Sequence, residues 1–245
     1  MTGIIKPVRL VIFDLGSTLI YENEAWDGYF PRADQALWNA LQRAGVTIPI
    51  SEVFAPHQGI FDLYYDLHRN DLNEPSTIAV LGDLLRKKGF DLPRETLRSA
   101  LREMFAVTQQ NWLPEADAIE TLTLLRAAGI HRALISNASD DDNTQALIDK
   151  GGFRPYLELI VSSASFGKRK PDPSIFSSVL DHFKVPPEQA VMVGDDYEAD
   201  VQGAHNTGMQ SIWITRRAFS SAPENAAYKP TAVVGALSEI PGLVS

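Results

Sequence analysis

Four short polar segments carry residue types that can do chemistry on an anionic substrate. They are DLGSTL (14–19), Ser136-Asn137, KRKPDP (168–173) and GDDYEAD (194–200). A carboxylate can attack phosphorus, carboxylate oxygens bind a hard cation such as Mg²⁺, and a lysine or hydroxyl group can stabilise the oxygens of a phosphate. Each segment taken alone also has a structural interpretation, because Asp, Ser and Gly are common in turns and helix caps.

Short apolar runs precede most of these polar segments and predict strands that are buried on both faces. The runs are RLVIF (9–13), RALIS (132–136), ELIVSS (158–163), AVMVG (190–194), SIWIT (211–215) and TAVVGAL (231–237). Helical patterns over 114–129 and 173–183 alternate with them, which favours an α/β fold with a Rossmann-like parallel sheet. Ligands collect at the carboxyl ends of such strands, so we expect the polar segments to meet at one edge of the sheet.

Residues from about 20 to 112 interrupt this alternation and contain helical patterns but no convincing strand. The predicted helices are ADQALWNALQRAG (33–45), SEVFAPHQGIFDLYYDLHRN (51–70), STIAVLGDLLRKKG (76–89) and PRETLRSALREMF (93–105). We therefore predict an inserted all-helical cap over 20–112, with an α/β core formed by 1–19 and 113–245.

Composition narrows the range of partners. The 245 residues include 22 Lys and Arg against 31 Asp and Glu, a formal net charge of −9 that would repel a nucleic acid. There are no cysteines, which excludes disulfides and thiolate chemistry. No apolar run resembles a signal peptide or reaches the roughly 18 residues of a membrane helix. We expect a cytoplasmic monomer or homodimer that binds neither membranes nor nucleic acid.

The four motifs in this order resemble the haloacid dehalogenase superfamily, and specifically subfamily I, whose helical cap lies between the first and second motifs. In that family an apolar strand precedes D-x-D-G-T-L, a Ser or Thr follows the second strand, a Lys often stands in K-P-D-P, and G-D precedes a further acid. Here the motifs read DLGSTL, LISN, KPDP and GDDYEAD, and they span nearly the whole chain. The resemblance implies a phosphatase-like hydrolase that acts on a small phosphorylated metabolite and uses Mg²⁺.

The resemblance and the charge of a phosphate dianion together assign roles to these residues. The predicted catalytic residues are Asp14, Ser136 and Lys170. The predicted phosphate contacts are Ser17, Thr18, Ser136, Asn137 and Lys170. The predicted Mg²⁺ ligands are Asp14, the carbonyl of Gly16 and Asp195, with Asp196 and Asp200 in supporting positions behind them. Tyr21 and Trp26, just beyond the first motif, are candidates for substrate contacts from the cap.

Gly16 departs from the family pattern, which has an aspartate here that serves as general acid and base. Three interpretations follow. The first is a phosphatase that cleaves esters with good leaving groups best. The second is a 2-haloacid dehalogenase, in which the same nucleophile displaces halide and no second aspartate is present. The third is a weakly active or non-catalytic protein that keeps the fold as a scaffold.

Overall fold

The computed structural model describes residues 7–25, 28–53, 59–60, 63, 71–218 and 228–245. In chain order the strands are β1 (Leu10–Phe13), β2 (Ile20–Glu22), β3 (Trp112–Pro114), β4 (His131–Ser136), β5 (Leu159–Ser162), β6 (Ala190–Gly194), β7 (Gln210–Ile214) and β8 (Ala232–Val234). Six of them form one sheet in the order β5-β4-β1-β6-β7-β8, and all neighbours are parallel. The predicted α/β fold with a parallel sheet is confirmed, and each of the six apolar runs contains a strand.

Alternating side chains of β1 supply both faces of this sheet. Val11 and Phe13 belong to one hydrophobic cluster, whereas Leu10 and Ile12 belong to another on the opposite face. All four residues are fully buried. A strand covered on both faces has no polar position, which explains why it appears in the sequence as a continuous apolar run.

The helices cover the sheet and build the inserted segment. They are α1 (Phe30–Arg43), α2 (Thr77–Lys87), α3 (Arg94–Asn111), α4 (Ala118–Ala127), α5 (Asp141–Lys150), α6 (Ser163–Phe166), α7 (Pro173–Phe183), α8 (Gly203–Asn206) and α9 (Ile240–Val244). Single 3₁₀ turns lie at Ile50–Glu52, Arg154–Tyr156, Pro187–Gln189 and Leu237–Glu239, and a π-helical turn at Tyr197–Gln202 leads into α8. In this description, no helix has the length and apolar character needed to span a membrane.

The inserted segment has a hydrophobic cluster of its own, whose buried members all lie between Ala33 and Phe105. On α3, Leu97, Leu101 and Met104 are buried as the predicted helical spacing requires. The predicted helices at 33–45, 76–89 and 93–105 are present with shifted ends. Most of the predicted helix at 51–70 lies outside the described residues.

The prediction that 20–112 contains no strand was wrong. Ile20–Glu22 pairs antiparallel with Trp112–Pro114, with Tyr21 opposite Leu113. Each strand has three residues, too few for a periodic pattern, and the partners lie about ninety residues apart in sequence. This ribbon pairs the two ends of the segment 20–112, which the sequence predicts to be a cap.

Candidate active site

Three neighbouring strands end at the same edge of the sheet and position the first, second and fourth motifs. Asp14 follows β1, Ser136 is the last residue of β4, and Asp195 follows β6. Because β4, β1 and β6 are adjacent and parallel, their carboxyl ends lie side by side. These residues line a cavity of about 450 Å³, which also includes Lys170. The sequence-predicted convergence therefore occurs.

Lys170 lies between two buried carboxylates. Its Nζ is 2.6 Å from Oδ1 of Asp14 and 2.6 Å from Oδ1 of Asp200. The backbone of Lys170 is held by Asn137, whose Nδ2 donates to the Lys170 carbonyl at 2.9 Å and whose Oδ1 accepts from the Lys170 amide at 2.8 Å. The second motif thus fixes the loop that presents the lysine of the third.

Burial dominates the ionisation of this group. It raises the pKa of Asp14, although the adjacent Lys170 opposes the change. Burial and the charges of Asp14 and Asp200 raise the pKa of Asp195 to about 8. Burial alone would lower the pKa of Lys170, but Asp14 and Asp200 raise it, so the lysine stays protonated at neutral pH.

Asp195 is held from two sides. Its Oδ1 lies 3.3 Å from Oγ1 of Thr18, which donates to it, and its backbone carbonyl accepts from the indole nitrogen of Trp213 at 2.8 Å. Thr18 is fully buried and does not line the cavity, although its neighbour Ser17 does. The Thr18 hydroxyl therefore contacts a carboxylate and not the space where a substrate would lie.

Asp200 reaches this group because of the glycine that ends β6. A Cβ built on Gly194 would lie 1.9 Å from Oδ2 of Asp200, so only glycine fits there. The same Oδ2 accepts from the backbone amide of Asp196 at 3.1 Å. Asp196 itself caps the π-helical turn, since its Oδ1 accepts from the amide of Ala199 at 2.9 Å.

The proposed phosphate contacts differ in their surroundings. Ser17 lines the cavity and has a φ of 56°, a left-handed conformation that glycine adopts more easily. Ser136 lines the same cavity, and its hydroxyl has no hydrogen-bond partner among the described residues. Its hydroxyl is thus available to donate to a bound oxyanion.

The comparisons with known proteins agree with this geometry. Residues 8–208 match the family of haloacid dehalogenase-like hydrolases, and this range includes all four motifs. The chain belongs to this family of hydrolases. The resemblance predicted from the motifs is confirmed.

Relatives of this hydrolase carry phosphatase names. It is 32% identical over 222 residues to a glyceraldehyde 3-phosphate phosphatase of Pyrococcus furiosus, a match that covers 85% of this chain and 81% of the relative. It is 35% identical over 127 residues to a phosphoserine phosphatase of Thermus thermophilus, where the match spans about half of each chain (52% and 49%).

A solved structure shows the same fold. A 2-haloacid dehalogenase from Pseudomonas syringae pv. Tomato superimposes with a TM-score of 0.71, over 97% of this chain and 98% of that one, at 23% identity. At this identity the likeness shows the fold of the hydrolase and not its reaction.

Three carboxylates of the hydrolase are placed where they could hold a metal ion. Asp14, Asp195 and Asp200 each offer an oxygen, and these oxygens lie within 4.8 Å of one another. They are buried, and within this group only Lys170 brings positive charge. Hard oxygen ligands with excess negative charge fit Mg²⁺, so the donor set agrees with the metal that the motifs predict.

Trp112 and Arg169 are among the cavity residues that sequence reasoning missed. A Cβ built on Gly16 would lie 3.4 Å from Cη2 of Trp112, so the indole covers the position where the family carries its second aspartate. Of the predicted cap contacts, Tyr21 is not part of the cavity lining and lies under the guanidinium of Arg217, 4.1 Å from the ring centre. Trp26 lies outside the described residues.

Proposed function

We propose that this hydrolase is a Mg²⁺-dependent phosphatase of small phosphate monoesters. The observation that carries the proposal is the contact of Asp14 with Lys170, 2.6 Å, inside a cavity that also holds Asp195 and Asp200. A nucleophile, a fixed cation and an excess of carboxylates are the parts that phosphoryl transfer to an aspartate requires. Relatives named as phosphatases of small phosphorylated compounds support the same substrate class.

Asp14 is the proposed nucleophile. Its carboxylate oxygen forms a bond to phosphorus while the bond between phosphorus and the ester oxygen breaks, which gives an aspartyl phosphate and an alcohol. Water then attacks this phosphorus and releases inorganic phosphate and the free Asp14 carboxylate. Lys170 and the hydroxyl of Ser136 stabilise the negative charge on the phosphoryl oxygens, and the amides around Ser17, Thr18 and Asn137 supply further donors.

The proposed ligands of Mg²⁺ are Asp14, the carbonyl of Gly16 and Asp195. When bound, the ion would offset the charge of the carboxylates and of the phosphate dianion. Asp200 supports the site by accepting a hydrogen bond from Lys170. Asp196 supports it by capping the turn that carries Asp200. Gly16 offers no acid, so the departing alkoxide must take its proton from water.

A dehalogenase is the second candidate, because the missing acid at Gly16 suits halide displacement, in which no alkoxide needs a proton. The same Asp14 would attack carbon and expel halide, forming an ester that water hydrolyses. Asp195 and Asp200 argue against it. A carbon-halogen bond carries no charge that would require a cation, and these additional buried carboxylates would repel a 2-haloacid anion.

We also propose that 20–112 is a cap that closes over the site and that 1–19 with 113–245 is the core. The separate hydrophobic cluster of the inserted segment and the two-stranded ribbon at its ends support this division. A cytoplasmic location and a monomeric or homodimeric state stay predictions.

Magnesium dependence tests the function directly. Purified protein is treated with a chelator and assayed on an aryl phosphate and on a 2-haloacid, with and without added Mg²⁺, and Asp14→Asn is the control for contaminating enzymes. We expect phosphate release that disappears with the chelator and returns with Mg²⁺. Release of halide that resists the chelator, with no phosphate release, would favour the dehalogenase.

A further inference from the structure

Arg169 is a second cation in the cavity that the proposed reaction does not use. Among the cavity-lining residues that the structure describes, only Lys170 and Arg169 are basic, and Lys170 already contacts Asp14 and Asp200. The Arg169 side chain is partly buried, at 22% exposure. The cavity therefore has a second positive charge beside that of Lys170.

The backbone of Arg169 is fixed by a segment of the cap. The amide of Arg169 donates to the carbonyl of Leu72 at 3.0 Å, and the amide of Glu74 donates to the carbonyl of Gly167 at 3.0 Å. Asn73 and Lys168 form an antiparallel bridge between these two contacts. Residues 72–74 thus lie alongside 167–169, so the position of Arg169 depends on the cap as well as the core.

Glu74 orients the guanidinium. Its side chain is fully buried, accepts from the Ser163 hydroxyl at 2.9 Å and places Oε2 3.6 Å from Nε of Arg169. Among the described residues, this ion pair is the only polar contact of the Arg169 side chain, so its two terminal nitrogens have no acceptor within that part of the chain. Those two nitrogens form the planar fork that binds a carboxylate with two parallel hydrogen bonds.

We infer that Arg169 binds a carboxylate of the substrate while the phosphate lies against Asp14 and Lys170. This inference rests on the proposed phosphatase function and specifies its substrate class as small phosphate monoesters that also carry a carboxylate. Glu74 offsets part of the charge of Arg169, which suits a singly charged carboxylate better than a second phosphate dianion. A cavity of about 450 Å³ has room for such a molecule.

Two substrates that differ only in charge test this assignment. They are carboxymethyl phosphate and its neutral amide, carbamoylmethyl phosphate, assayed with Mg²⁺ on wild type, Arg169→Met and Lys168→Met. Lys168 is the matched control, because it is the preceding basic residue and does not line the cavity. We expect wild type and Lys168→Met to prefer the carboxylate by about tenfold or more in kcat/KM, and Arg169→Met to lose that preference.

Further variants separate recognition from a structural role. Arg169→Lys keeps the charge without the fork and is expected to restore part of the preference. Glu74→Gln removes the ion pair that orients the guanidinium, so we expect it to raise KM for the carboxylate substrate. If Arg169→Met slows both substrates equally, or lowers the melting temperature with no change in preference, Arg169 joins cap to core and the inference is wrong.

Binding to the Asp14→Asn protein distinguishes this inference from the proposed function. Calorimetry of both compounds, with and without Arg169→Met, measures recognition where no hydrolysis occurs. Tighter binding of the carboxylate that depends on Arg169 supports the inference even if wild type hydrolyses neither compound, a result that would overturn the phosphatase proposal alone. Equal binding of the two compounds overturns the inference alone.

Discussion

Two clusters of acidic and basic side chains in this hydrolase differ in the ratio of carboxylates to cations. The site cluster consists of Asp14, Asp195, Asp200 and Lys170, and three carboxylates there share one lysine. Among the residues that the structure describes, no other basic side chain contacts these three. The site cluster therefore has more carboxyl groups than cations in a buried position.

The hinge cluster consists of Glu115, Asp117, Arg216 and Arg217 and lies beside the ribbon formed by β2 and β3. Glu115 accepts from Arg216 at 2.7 Å and from Arg217 at 2.9 Å, while Asp117 accepts from both terminal nitrogens of Arg216 at 2.9 and 2.8 Å. Two carboxylates thus meet two arginines, and the charges balance.

The pKa values of the aspartates reflect this difference. Burial alone would raise the pKa of Asp117, yet its hydrogen bonds to Arg216 and to the Ser238 amide lower it. In the site cluster, burial and neighbouring carboxylates raise the pKa of Asp195 to about 8 and burial raises that of Asp200 to about 7. A balanced cluster stabilises the fold, whereas an unbalanced one is suited to bind charge from outside the chain.

Asparagine substitutions in the two clusters should have opposite consequences, and this is the largest effect we expect. Asp14→Asn removes the nucleophile and should lower kcat by about 10³-fold or more, with the melting temperature unchanged or higher because one buried charge is gone. Asp117→Asn should keep kcat and cost about 1–2 kcal/mol of unfolding free energy. Phosphatase assays and denaturant unfolding of both variants measure this. A loss of kcat in Asp117→Asn would contradict the assignment of catalysis to the site cluster alone.

Removing the only cation of the site cluster should affect both activity and stability. Lys170→Met leaves its carboxylates without compensation, so we expect a loss of about 10²–10³-fold in kcat and about 3 kcal/mol in the unfolding free energy. Lys168→Met, two residues earlier in the same loop, should change neither. Equal effects of the two substitutions in the same assays would show that the loop, and not the Lys170 charge, matters.

The pH dependence of stability should also distinguish the clusters. A carboxyl group whose folded-state pKa is raised binds its proton more tightly in the folded state, so stability is greatest at low pH and is lost as the pH rises through that pKa. For Asp195 the window runs from its ordinary 3.8 to about 8. In chelator, the melting temperature should therefore fall as the pH rises from about 5 to 8.

The hinge cluster supplies the contrast for this measurement. Because the pKa of Asp117 is lowered, its stabilisation is present at neutral pH and is lost only as the pH falls below its ordinary 3.8. Asp195→Asn should flatten the slope between about pH 5 and 8, and Asp117→Asn should leave it unchanged. A stability that rises with pH over this window in chelator would contradict the unbalanced charge of the site cluster.

The sheet could be predicted from the sequence because the central strands are buried on both faces and therefore appear as continuous apolar runs, such as 9–13 and 190–194. The sequence was also sufficient to bring Asp14, Ser136, Lys170 and Asp195 to one cavity, since adjacent parallel strands end at one edge. The roles of these residues stay predictions.

Other features depend on pairing between distant segments and left no local pattern. The ribbon that brings Trp112 over Gly16 joins two three-residue strands, and the contact between Glu74 and Arg169 links 72–74 to the loop that follows α6. The Thr18 hydroxyl, grouped with the phosphate contacts, turns inward to Asp195. Short motifs identify which residues carry the chemistry, but the direction of each side chain follows from tertiary packing.

The substitution Gly16→Asp should produce the smallest effect. It adds a further carboxylate to the site cluster and so increases the difference between this cluster and the hinge cluster. The left-handed backbone conformation in this loop is adopted by Ser17 and not by Gly16, so the backbone at position 16 can accept a side chain. Beside Asp14 and Asp195, a new carboxylic acid should keep its proton to a higher pH than usual, which suits a general acid. Trp112, 3.4 Å from the new Cβ, restricts its rotamers.

We therefore expect Gly16→Asp to raise kcat on alkyl phosphates by about tenfold, below the full 10²–10⁴ of well-positioned acid catalysis, and to change kcat on aryl phosphates little. Protonation matters least for good leaving groups, so the ratio of the two rates is the informative measurement. Gly16→Asn is the matched control, because it has the same shape and no proton to donate. An equal gain in Gly16→Asn, or an unchanged ratio in a folded Gly16→Asp protein, would show that the reaction is not limited by a missing acid.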